Sequence, residues 1–175
     1  MDTFVEQIVV KKKDRKENAI VFAVLIGVGV LCGFAWTFLA AGLLPFAILI
    51  FGGACYGGWW LVTSQNKEFE YCVTNGDIDI DEIIGRRKRN RLVSVAGRKI
   101  QTAGKYDEPY WKTHPVDRLV MAAPSLKEDG LYCFSYRSKK RGHTLVVFKP
   151  NDRVKEALYN GLPRLVQIEW DRTEQ

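Results

Sequence analysis

Two stretches of the chain have no polar face: residues 19–39 and 43–62 are uncharged and almost wholly apolar. At about 1.5 Å per helical residue, each can cross the roughly 30 Å hydrocarbon core of a bilayer. Ala40, Ala41 and Gly42 leave only a short connection, and Pro45 falls in the first turn of the second span, where its missing N–H costs no hydrogen bond. The pattern predicts an antiparallel transmembrane hairpin within residues 18–66. From Lys67 the apolar period becomes two. Phe69, Tyr71 and Val73 alternate with Glu68, Glu70 and Thr74, then Asn75-Gly76 intervenes, and Ile78 and Ile80 alternate with Asp77, Asp79 and Asp81. Asn-Gly readily supplies the two positive φ angles of a type I′ turn, so this segment reads as a β-hairpin.

The same reading continues to residue 163. A basic turn at residues 85–90 leads to strand candidates at 91–95 and about 98–102, and residues 107–115, with Pro109 and Pro115, read as a loop. Three further strands are expected at 116–123, 131–137 and 143–149, with Tyr132, Phe134 and Tyr136 sharing a face and a charged turn at 138–142. Pro150-Asn151-Asp152 then caps a helix carrying Val154, Ala157 and Leu158, which Gly161 and Pro163 stop. The expectation is a mainly β domain over residues 67–163, of about seven strands and one terminal helix, followed by a tail at 164–175. Residues 1–17 form an amphipathic basic segment. Thr3 and Glu6 have capping-box spacing and Phe4, Val5, Ile8 and Val9 share a helical side, which suits a short helix on the inner leaflet or, equally, one packed on the soluble domain.

Composition alone, 47% hydrophobic and 26% charged, resembles a soluble protein, but no Asp, Glu, Lys or Arg occurs between Glu17 and Lys67. The cations cluster on both flanks: Lys11, Lys12, Lys13, Arg15 and Lys16 before the first span, Lys67 and the basic turn after the second. The positive-inside bias then places both termini in the cytoplasm. Trp36, Trp59 and Trp60 stand where interfacial aromatic belts lie, and Gly29/Gly33 and Gly53/Gly57 form small-xxx-small pairs suited to closing the hairpin or to pairing with a second copy.

Candidate chemistry is sparse. Cys32, Cys55, Cys72 and Cys133 include no CxxC, and His114 and His143 are the only histidines, so neither a metal centre nor a Cys-His nucleophile is expected. Asp77, Asp79, Asp81 and Glu82 lack the glycine and closing glutamate of a calcium loop and read as a solvated outer face. Arg86, Arg87, Lys88, Arg89 and Arg91 dominate the electrostatics of a chain whose net charge is +6. Tethered near a membrane, such a turn can meet anionic lipid, or it can serve only to fix topology.

The order of elements, with Phe69-Glu70-Tyr71-Cys72-Val73-Thr74-Asn75-Gly76-Asp77-Ile78, the Gly85-Arg86-Arg87 turn and Arg91-Leu92-Val93-Ser94-Val95, resembles bacterial pleckstrin-homology-like (PH-like) proteins with an N-terminal transmembrane hairpin. The resemblance implies an α+β membrane protein, a hairpin followed by a seven-stranded PH-like sandwich with a C-terminal helix. It further implies a multi-pass protein of the bacterial cell membrane and a non-enzymatic interaction or scaffold module without cofactor. Its partners would be the membrane and an unidentified membrane or cytoplasmic protein, with homo-oligomerisation open and nucleic acid disfavoured. The alternative is an accessory subunit of a transporter or other membrane complex.

Overall fold

The residues expected to start the chain as a helix instead form strand β1 (Phe4–Val10). Val5, Ile8, Val9 and Val10 are β-branched and stiff at χ1, which suits a pleated strand. Alternation puts Val5, Gln7 and Val9 inward, half-buried, and Phe4, Glu6, Ile8 and Val10 outward. The partner is β2 (Lys67–Thr74), antiparallel, with Phe4 opposite Thr74 and Val10 opposite Glu68. Thr3 and Asn75 close the far end: the Thr3 N–H donates to Asn75 Oδ1 at 3.0 Å, and the Asn75 N–H donates to the Thr3 carbonyl at 2.9 Å. The structure, a computed structural model, describes residues 3–13, 15–126, 128–138 and 141–174.

Between these two paired strands the chain makes helices α1 (Arg15–Ala40) and α2 (Leu44–Ser64), both long and apolar enough to cross a membrane. Gly42, at φ +76°, makes the reversal between them, and Pro45 lies in the first turn of α2. The helices are therefore an insertion within the first strand pair of the β domain. A boundary at residue 67 divides strands that belong together.

β3 (Asp77–Ile84) and β4 (Lys88–Val95) complete a first sheet of order β1-β2-β3-β4. Asn75 and Gly76, at φ 51° and 83°, make the expected tight turn, and Gly85 and Arg86, at 56° and 57°, make a second of the same kind. The basic turn is thus shorter than expected, since β4 already begins at Lys88. The second sheet comprises β5 (Ile100–Lys105), β6 (Arg118–Ala122), β7 (Tyr132–Ser138) and β8 (Gly142–Phe148), in the order β5-β7-β8-β6, with β6 parallel to β8. Within the expected 107–115 loop lies a short helix, α3 (Glu108–Thr113). Positions 139 and 140 of the expected charged turn lie outside the described residues. Among the described residues there are eight strands where about seven are expected, β1 being the addition.

The inward rows of both sheets make one core. Phe69, Tyr71, Val73, Ile78 and Ile80 meet Phe134, Val146 and Phe148, with Tyr71 edge-on to Phe148 at 5.7 Å. Tyr71 is a buried hydroxyl in apolar surroundings, and it is satisfied: it donates to the Ala122 carbonyl and accepts the Lys149 N–H at 3.3 Å. Helix α4 (Asp152–Tyr159) starts as expected, with Asn151 Oδ1 accepting the Val154 N–H at 2.9 Å. It inserts Val154, Ala157 and Leu158 into the core. The segment expected as a tail is a further helix, α5 (Arg164–Glu174), packed on β5. Val166 and Trp170 are one apolar side of it, and Trp170 stacks on Tyr132 at 5.1 Å. A four-residue interruption after α4 and a mostly polar sequence conceal this helix.

Candidate functional site

The basic turn is built by the β3–β4 hairpin. Gly85 and Arg86 hold left-handed backbone angles, and the Gly85 N–H donates to the Asn66 carbonyl at 2.7 Å, which ties the turn to the segment just after α2. Arg86, Arg87 and Lys88 are exposed there. Arg89 and Arg91 do something different. Arg91 binds Asp81 through Nε at 2.9 Å and Nη2 at 3.3 Å, and Asp79 through Nη1 at 3.3 Å. Arg89 pairs with Glu70 on β2 and approaches Asp81 at 3.9 Å.

The acidic row of β3 is therefore not simply a solvated face. β4 returns two arginines onto it, and Asp81 is only 6% exposed. Adjacent strands of one hairpin place opposite charges side by side, a cross-strand pairing that the residues 79, 81, 89 and 91 already encode. Asp77 has a separate task, accepting the Gly97 N–H at 3.1 Å. At the other end of the network, burial and a hydrogen bond to Glu6 push the Glu70 carboxyl above its ordinary range, and the Arg89 guanidinium opposes them. The five cations thus divide into two knitted into the first sheet and three at the turn.

Among the described residues no group of three or more His, Cys, Asp or Glu is placed to hold a metal ion. Cys133 lies in a small core on the outer side of the second sheet with Leu145 and Val147, and Trp111 of α3 covers it. Burial, only partly opposed by a hydrogen bond from Trp111, pushes its thiol up to about 12, so almost no thiolate forms near neutrality. Cys72 is raised by burial as well. His114 stacks on Tyr110 at 4.1 Å, and the His143 main-chain N–H donates to Asp117 at 2.7 Å. Each is occupied with local structure, and no cysteine and histidine are brought together by these contacts.

In the helical hairpin the contact surface is displaced from the glycine pairs. A Cβ added at Gly29, Gly33, Gly53 or Gly57 would meet nothing within 4 Å, whereas one at Gly58 would lie 2.5 Å from Val28 Cγ2. Ala35, Ala47 and Ala54 are the other buried small residues, so alanine rather than the GxxxG glycines lets the helices approach. Trp36, Trp59 and Trp60 are exposed on the helix surfaces. Sequence reasoning missed Gln7, whose amide bridges two main-chain groups: Nε2 donates to the Lys149 carbonyl at 3.0 Å and Oε1 accepts the Asn151 N–H at 2.7 Å. A glutamine at an inward position of an alternating strand was the available signal.

Residues 1–168 match the family model described as a bacterial PH-like domain, DUF6106. No curated protein and no solved structure matches the chain. The matched range starts before β1 and runs through the helical hairpin into α5, the same continuity that the β1–β2 pairing requires. With nearly its whole length covered and its two four-stranded sheets closed by α4, the chain belongs to the bacterial PH-like domain family DUF6106.

Proposed function

We propose that this protein is a non-enzymatic scaffold module of the bacterial cell membrane, anchored through α1 and α2 with both termini in the cytoplasm. One observation carries the reading: the apolar side chains of the two helices point outward on every side, with Phe22, Trp36 and Leu49 exposed by 69%, 70% and 74%. Such a surface far exceeds the few hundred Å² of apolar patch that a soluble monomer tolerates, and in lipid it is the ordinary state. The cations before α1 and at the β3–β4 turn favour the cytoplasmic side. Arg86, Arg87 and Lys88 bias the domain toward anionic headgroups. The topology is tested by single cysteines placed at Lys12 or Ser138 in a chain otherwise free of cysteine. An impermeant thiol reagent added to sealed cells should leave both unlabelled, and labelling from outside would overturn the orientation.

A second reading, an accessory subunit of a membrane complex, is favoured by the open space around Gly29, Gly33, Gly53 and Gly57. Small-residue faces not used within the hairpin are free to take a helix of another protein or of a second copy. Cross-linking from cysteines at Gly29 or Gly53 separates the two: a homogeneous dimer indicates the second copy, a heavier heterogeneous adduct indicates a complex, and monomer alone rejects this reading.

A further inference from the structure

A cleft of about 350 Å³ runs along β4, with residues 91–94 on one side and Tyr136, Ser138 and Arg141 on the other. β4 is the outer strand of its sheet and pairs only with β3, so one row of its N–H and C=O groups faces away from the ladder. β7 contributes an open edge too. β5 begins at Ile100, opposite Tyr136, while Arg137 and Ser138 run on beyond it, paired only on the β8 side with His143 and Gly142. Each side of the cleft therefore offers backbone groups that lack a strand neighbour.

Charge selects the occupant. The chain has no Asp or Glu between Glu82 and Asp107, or between Asp129 and Asp152, the two stretches that supply the cleft. Arg91 commits its guanidinium to Asp79 and Asp81, so among the described residues the exposed Arg141 is the cation that serves the cleft, beside the hydroxyl-bearing Ser94, Tyr136 and Ser138. A second copy fits badly, because another β4 brings Lys88, Arg89 and Arg91 and no Asp or Glu to meet Arg141. We infer that the cleft takes an extended acidic segment of a partner protein, added as a strand along β4 beside the end of β7. Main-chain hydrogen bonds hold the segment and a carboxylate meets Arg141. The inference rests on reading the domain as an interaction module, and it names the surface and the chemistry of the partner.

The test uses the full chain in nanodiscs of neutral phosphatidylcholine and a fluorescein-labelled peptide of alternating Glu and Thr, about ten residues long. Saturable binding is expected, weakened about tenfold or more by methylating alternate backbone nitrogens of the peptide or by Arg141→Glu, and largely kept by Arg141→Lys. A benzophenone photo-cross-linker at Ser94 should capture the peptide, and one at Leu165, exposed on α5, should not. Equal binding of the methylated peptide overturns strand addition, because charge alone then accounts for it. Tighter binding of a competing oligouridylate also overturns it, assigning the cleft to a polyanion. No peptide binding, in a protein that stays in the membrane and still cross-links a neighbour through α1 or α2, overturns the cleft and leaves the anchored scaffold standing. Peptide binding by a chain recovered in the soluble fraction supports the cleft and removes the anchor.

Discussion

Gly76, Gly97 and Gly161 come from the first tight turn, from the 3-10 turn before β5 and from the end of α4, and they meet backbone to backbone. A Cβ at Gly161 would sit 2.3 Å from Gly76 Cα, and one at Gly97 2.3 Å from the Gly76 carbonyl oxygen. Main chain cannot swing aside as a side chain can, so Gly161→Ala should destabilise the domain by about 3 kcal/mol in denaturant unfolding. Gly130→Ala, with open space around it but φ +76°, should cost only about 1 kcal/mol of backbone strain. A smaller loss at Gly161 than at Gly130 would contradict the packing described. Glu70 yields a pH prediction. Its carboxyl is raised in the folded state, first by burial and then by Glu6, so the folded chain holds that proton more tightly than the unfolded one. The contribution is fully present below the unfolded pKa and is lost as pH rises through the folded pKa. Glu70→Gln, neutral throughout, should therefore raise Tm near pH 7 and converge with the wild type near pH 4. A Tm difference that grows toward acid would contradict the sign.

Besides the short helix α3, the sequence concealed β1 and α5, each for a physical reason. β1 pairs with a strand that follows more than fifty intervening residues, and Phe4, Val5, Ile8 and Val9 fall at helical spacing while in the strand they divide between its two faces. α5 is short and largely polar, its place fixed by Trp170 against Tyr132 and by the Thr173 hydroxyl accepting the Lys105 N–H at 3.1 Å. By contrast, Asn75-Gly76, the Tyr132, Phe134 and Tyr136 row and the Asn151 cap were legible, because turn chemistry, period and capping are local signals. Of the candidate site, the five cations were visible and their division was not, since it depends on the register of β4 on β3 and on which side of the sheet each side chain takes. Gln7 fastens β1 to the start of α4, and Gln7→Ala removes a partner from two main-chain groups at once. A loss of about 1–3 kcal/mol in denaturant unfolding is expected. No loss would mean that water replaces both bonds without cost.

At the scale of the whole molecule, the insertion predicts how the chain can be shortened. Val10 stands opposite Glu68, so replacing residues 11–67 by Asn-Gly should close β1 and β2 as an ordinary tight hairpin. The shortened chain should be water-soluble, with a β-dominated circular dichroism spectrum and a cooperative melt, whereas a fragment starting at residue 67 lacks β1 and should melt lower or not cooperatively. Equal stability of the two would show that β1 is dispensable.

The pairing of Val10 with Glu68 also sets an order of events during synthesis. β1 is made before both helices and β2 and has no strand to join until they are complete, so the first sheet closes only after the whole helical hairpin has been synthesised. If only one helix crosses the bilayer, Val10 and Glu68 are held on opposite faces, about 30 Å apart across the hydrocarbon, and their ladder cannot form. Under the proposed anchoring, assembly of the β domain is a checkpoint for complete insertion: a chain stalled halfway would leave the inward row of β2 exposed, a target for chaperones and proteases.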